Sequence, residues 1–191
     1  MNRLAVAAVM LLSLTTPSVA QTPIGAQRHG FWLAVGVGGG SARVSCDSCG
    51  NHSGRGGVSY SIALGATPNP HLRVGAEWRY WVRYVDTVPL IQTYTALASY
   101  YPRPRGGPFV EAGLGLARYS ASFHTILYVG NGLGVSVATG WEIPFRGGPS
   151  LRPQVSYLMG AVGTLRRSSG TVVATGWKQH LLLIEIRFQM G

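Results

Sequence analysis

Charge is scarce in this chain of 191 residues, and negative charge above all: Asp and Glu together number six, against 16 Lys and Arg. Charged residues make up 12% of the chain, against about 25% in a typical soluble domain. A surface so poor in charge argues against an ordinary water-soluble fold. Long apolar runs are missing as well. Beyond residue 20 nothing reaches the roughly 18 consecutive apolar residues of a membrane helix, which excludes helical spans. What is abundant is glycine, with 27 residues, about twice the usual share. A chain too apolar for water but lacking a membrane helix is explained by a closed β-barrel. Lipid-facing side chains then replace the charged surface, and closure satisfies every backbone group.

The N-terminus reads differently from the rest. Arg3 is followed by the apolar run Leu4–Leu12, and Ser18 and Ala20 are small residues at the positions a signal peptidase reads. That order marks a secretory signal peptide over 1–20, cleaved after Ala20. Its apolar core is too short to span about 30 Å of hydrocarbon. A short segment over 21–27 and one domain over 28–191 would remain. Loss of Arg3 lowers the formal charge from +10 to +9.

Eight segments have strand character: 31–44, 57–67, 71–84, 89–101, 108–119, 128–143, 150–163 and 175–189. Each is long enough for the 9–11 residues, roughly, of a tilted membrane strand. Period-two alternation is plain in several. Leu72, Val74, Ala76, Trp78, Tyr80 and Val82 share one face, while Arg73, Gly75, Glu77, Arg79, Trp81 and Arg83 share the other. Val110, Ala112, Leu114 and Leu116 oppose Glu111, Gly113, Gly115 and Ala117. Leu182, Ile184, Ile186 and Phe188 oppose Glu185, Arg187 and Gln189. Compact Pro/Gly turns are expected at 67–70, 102–107 and 144–149. The connections near 45–56, 120–127 and 164–174 read as longer loops, and that near 85–88 as short. Turns at one end and loops at the other predict a periplasmic and an outer side. Aromatic residues near segment ends, among them Phe31, Trp32, Trp78, Tyr80, Trp81, Tyr100, Tyr101, Tyr119, Tyr128, Trp141, Tyr157 and Trp177, read as interfacial girdles.

Together these features resemble the small OmpA/OmpX-like outer-membrane β-barrel superfamily. The resemblance covers nearly all of 28–191 and implies an all-β, eight-stranded antiparallel up-and-down transmembrane barrel. It also implies dealings with the outer-membrane assembly machinery, which commonly reads a terminal aromatic residue. Here Phe188 stands three residues before the end.

Four of the six acids are glutamates inside expected strands: Glu77, Glu111, Glu142 and Glu185. All have the parity opposite to the aliphatic face, as do Arg73, Arg79, Arg152 and Arg187. Unpaired buried charge is very costly, and an eight-stranded barrel is just wide enough to fill with side chains. The expectation is therefore an Arg–Glu network that plugs the lumen. Its bland reading is a polar core that specifies the fold; its functional reading is a narrow conduit.

Cys46-Asp47-Ser48-Cys49 lies in the first outer connection. A redox motif would need a thioredoxin-like context, and a zinc site two further ligands, of which only His52 is near. A small loop disulfide in an oxidising compartment is preferred. No hydrolase nucleophile motif is present; His124 beside Ser120 and Ser122 is the weak trace of a lipid A-modifying rim enzyme. The glycine runs at 37–41 and 130–132 lack the Lys-Ser/Thr and helix of a phosphate loop. No catalytic, cofactor or metal residues are therefore assigned. Arg43, Arg55, Arg83, Arg118, Arg166, Arg167 and Lys178 fall near the outer rim, where lipopolysaccharide phosphates are a better partner than nucleic acid. The expected protein is a monomeric outer-membrane barrel, exported through its signal peptide, with a structural or surface-interaction role. The alternatives are a narrow channel or carrier for small solutes, the rim enzyme, and a soluble lipocalin-type barrel with its faces reversed.

Overall fold

The computed structural model describes residues 27–47, 49–51, 54–83, 88–123 and 126–191. The signal peptide read over 1–20, with most of the short segment after it, lies outside them, as do Ser48, His52 and His124.

Among the described residues, eight long strands follow one another: β1 (Gly30–Cys46), β2 (Arg55–Asn69), β3 (Leu72–Val82), β4 (Val88–Tyr100), β5 (Gly107–Phe123), β6 (Ile126–Pro144), β7 (Ser150–Arg167) and β8 (Val172–Met190). Each pairs antiparallel with the next, and β8 returns to β1 from Leu33↔Met190 to Ser45↔Lys178. Closure removes the free edges that lipid could not satisfy. A two-residue ladder, Gly50–Asn51 against Cys46 and Ser45, folds the first outer connection back on β1.

The register fixes the barrel's dimensions. Starting at Val35, the paired residues run through Ile62, Trp78, Tyr94, Leu116, Leu133, Ala161 and Lys178, and return to β1 at Ser45. The circuit gains ten residues, which is the shear of the barrel. With a strand rise of about 3.3 Å and a spacing of about 4.8 Å, eight strands at this shear tilt by about 40°. Such a barrel admits side chains and little else.

Alternation in sequence becomes alternation between lipid and lumen. Val110, Leu114 and Leu116, like Leu182, Ile184 and Ile186, point outward and are exposed. Glu111, Ala117, Leu183, Glu185 and Arg187, on the opposite parity, are buried.

The strands run further than expected at the outer end. The connections read as 45–56, 120–127 and 164–174 shrink to 47–54, 124–125 and 168–171. Ser120, Ser122, Arg166 and Arg167 continue their ladders instead. Beyond the apolar band a strand need no longer alternate, because water accepts polar side chains on either face. Loss of the apolar pattern therefore does not mark the end of the strand.

Candidate functional site

The chemically dense region is the lumen, and its lower part begins outside the strands. Arg28, in the segment that enters β1, turns its side chain into the end of the barrel that carries the short Pro/Gly turns. Its Nε donates to Glu142 Oε2 at 2.5 Å, its Nη2 pairs with the same oxygen, and its Nη1 donates to the carbonyls of Pro70 (3.2 Å) and Arg103 (2.6 Å). Its guanidinium lies 3.8 Å from the centre of the Tyr101 ring. Arg73 meets the other oxygen of Glu142 at 2.8 Å, where Ser150 also donates.

One layer up, Arg152 donates to Glu111 (3.0 Å) and to Gln189 (2.9 Å), and it stacks 4.0 Å from the Phe109 ring. Arg187 bridges Glu77 (2.6 Å) and Glu111 (3.3 Å). Arg79 bridges Glu77 (2.7 Å) and Glu185 (3.2 Å). Ser59, Ser156 and Gln154 donate to Glu185, and Ser99 donates to Glu111 at 2.6 Å. Each of the four carboxylates thus lies within 4 Å of two guanidinium groups. Arg152 and Arg187 are 0% and 1% exposed, so these pairs are shielded from solvent and their geometry governs their energy.

The upper lumen corrects the picture of a uniformly polar interior. Trp81, Ile91, Tyr119, Leu158, Val162, Trp177, Leu181 and Leu183 form a buried apolar cluster there with Ala42, Ala117 and Ala121. Five aromatic residues read as membrane girdles are inside the barrel instead: Trp32, Trp81, Tyr101, Tyr119 and Trp177. Their parity is that of the lumen, and glycine makes the room they need. A Cβ at Gly57 would lie 2.4 Å from the Trp81 ring, and one at Gly75 would lie 2.7 Å from the Trp32 ring. Each indole also donates to a backbone carbonyl, Trp32 to Ala66 and Trp81 to Gly40. Phe31, Trp78, Tyr94, Tyr100, Trp141 and Tyr157 do face outward.

Cys46 and Cys49 are joined in a disulfide and pack against the apolar cluster. The loop they close is pinned to β8, where Asp47 N–H donates to the Thr175 carbonyl and the Thr175 hydroxyl to the Asp47 carboxylate, both at 3.1 Å. Among the described residues no group of three or more His, Cys, Asp and Glu could hold a metal ion.

The seven outer cations divide by parity. Arg43, Arg118 and Lys178 are exposed on the lipid-facing side of β1, β5 and β8, and Arg166 is exposed near the end of β7. Arg55 has the inward parity of β2, and Arg83 directly follows the last residue of β3. Arg167 places its guanidinium 5.9 Å from the ring of Tyr128, which packs on the apolar cluster. Sequence reasoning missed Arg28 and Tyr101 as lumen partners. The first precedes any strand, and the second was grouped with the girdles despite sharing parity with Ser99.

A closed eight-stranded antiparallel barrel with an aliphatic exterior defines the class of fold, and solved outer-membrane barrels share it. Neisserial surface protein A has this fold, with a TM-score of 0.59 and 22% identity over 83% of this chain and 96% of that one. Ail, the attachment invasion locus protein of Yersinia pestis, solved with the heparin analogue sucrose octasulfate, gives 0.55 and 11% over 84% and 99%. The N-terminal β-barrel domain of Pseudomonas aeruginosa OprF gives 0.50 and 10% over 85% and 100%. No family model and no curated protein matches the sequence.

Proposed function

We propose that the protein is a resident of the bacterial outer membrane, exported by a cleaved signal peptide and inserted by the assembly machinery as a monomer. Its lumen is closed, and its role is structural or one of surface interaction, without catalysis. The observation that carries this reading is the pair of buried side-chain clusters within the barrel, ion pairs below and apolar packing above. A guanidinium–carboxylate lattice with each acid held twice favours a filled interior over the continuous water column a porin needs. Function then falls to the outer surface, where seven cations collect. They favour phosphate-bearing lipopolysaccharide as partner. The sucrose octasulfate held by Ail is a polyanion too, in keeping with that class of ligand.

Planar-bilayer recording on the refolded protein tests the closed lumen. The expected result is no sustained opening at moderate voltage; regular ion-sized steps would overturn it. Fractionation of cells with gels of unboiled samples tests the location. A heat-modifiable band in the outer-membrane fraction, with an N-terminus at Gln21, is expected. Recovery as a soluble monomer without detergent would sink the reading.

A further inference from the structure

The geometry points to a phosphate site for one acylated, phosphorylated glycolipid on the lipid-facing side of β8, β1 and β2, built from Arg43, Lys178 and His180. It rests on the outer-membrane reading above and narrows the outer cations to those that share one face.

Arg43 on β1 and His180 on β8 are direct cross-strand partners. Lys178 pairs with Ser45, one step further out on the same face. Cross-strand and diagonal neighbours on one face lie within about 8 Å, so both cations and the imidazole can surround a single phosphate. The imidazole is held in place: the Tyr157 hydroxyl and His180 Nδ1 share a hydrogen bond of 2.8 Å, with the two rings 6.1 Å apart. Tyr157 belongs to the outward aromatic band with Trp78, Tyr94 and the stacked pair Tyr60–Tyr80. The cations therefore sit one step above the ring level, where a headgroup phosphate begins.

The surface below the cations suits an acyl chain. Descending β1 from Arg43, the outward positions are Ser41 and Gly39, opposite Leu182 and Ile184. Ile184 is 70% exposed, beside the bare glycine. On the β2 side, a Cβ at Gly54 would lie 3.4 Å from Arg43 Cγ and Nε, so the arginine stem rests on bare backbone there; one at Gly56 would meet nothing within 4 Å. A phosphate at the rim and a hydrocarbon chain over Ser41 and Gly39 would use both parts together. A free anion could use only the first, so the occupant is the lipid.

The test reconstitutes the full chain in nanodiscs containing bisphosphorylated lipid A and reads retained lipid by native mass spectrometry. The double variant R43A/K178A is compared with R103A/R105A, which removes equal charge from a periplasmic turn. Wild type and R103A/R105A should retain bisphosphorylated lipid A. R43A/K178A should lose about thirty-fold in retention, at about fivefold per cation near a charged membrane surface. H180A and Y157F should each lose less, and lipid A stripped of phosphate should bind all forms alike. Heat-modifiability of every variant checks folding. Equal retention by R43A/K178A and wild type, equal losses in both double variants, or displacement by millimolar inorganic phosphate would each overturn the site. A wild-type chain that fails to enter membranes would instead overturn the reading on which it rests.

Discussion

The two halves of the lumen solve the same packing problem by opposite chemistry. Below, Arg28, Arg73, Arg79, Arg152 and Arg187 interleave with four glutamates. Above, Trp81, Tyr119 and Trp177 meet leucine, isoleucine and valine. The lower solution is specific and fragile: a buried ion pair contributes little net stability against an apolar substitute, but removing one partner strands the other. The upper solution tolerates change in proportion to the volume lost. The strands can thus be placed in register by the lower half and packed together by the upper.

The largest effect should come from Arg187, which touches Glu77 and Glu111 and approaches Glu185. Arg187→Met keeps most of the volume and removes the charge. Equilibrium urea unfolding in lipid should show a loss of about 3–5 kcal/mol, the usual result of leaving a buried charge unpaired. A loss below about 1 kcal/mol would mean that water reaches the glutamates, and the contrast between the halves would dissolve.

Much of this arrangement can be read in the sequence, because a strand has only two faces. The parity that puts Glu77 with Arg79, and Glu185 with Arg187, on one side is visible without coordinates. The same parity puts Trp81 with Glu77, so its place inside was equally legible. Proximity to a strand end obscured it, because β-propensity and interfacial preference enrich the same rings there. What parity cannot supply is the partner across the barrel. That Arg187 reaches Glu77 of β3 as well as Glu111 of β5 depends on shear and closure, which come from all eight pairings at once. Arg28 lay beyond any periodic argument, since it acts from a segment with no strand of its own.

Trp81 tests the upper half. Trp81→Ala should cost about 3 kcal/mol, near the low end for a buried tryptophan. The informative control is Trp81→Phe, which keeps a ring in the same space and should recover part of the loss in the same urea assay. A Trp81→Phe variant no more stable than Trp81→Ala would show that the ring's volume is not what the upper half needs.

The disulfide should matter less than either core. Cys46 and Cys49 close a very short loop, and loop-closure entropy gives at most about 2 kcal/mol for so few residues. Cys46→Ser with Cys49→Ser should lower the unfolding midpoint modestly and leave the lower lumen intact. Because the pair also caps the apolar cluster, quenching of Trp81 and Trp177 fluorescence by acrylamide should rise. Unchanged quenching would separate the disulfide from the upper cluster.

The smallest effect sharpens the contrast most, because it uses the residue type of the first prediction. Arg118 lies on β5 with Arg79 and Arg187 on the opposite side of the wall, exposed where they are buried. Its charge stays solvated in both folded and unfolded chains, so nothing is stranded when it goes. Arg118→Ala in detergent should unfold within the scatter of wild type, as exposed substitutions away from special features do. Raising salt should not change that result, since Arg118 forms no ion pair among the described residues. If Arg118→Ala instead destabilised the barrel as Arg187→Met should, the cost would belong to arginine's stem and its packing, and the guanidinium lattice would lose its claim to organise the lower half.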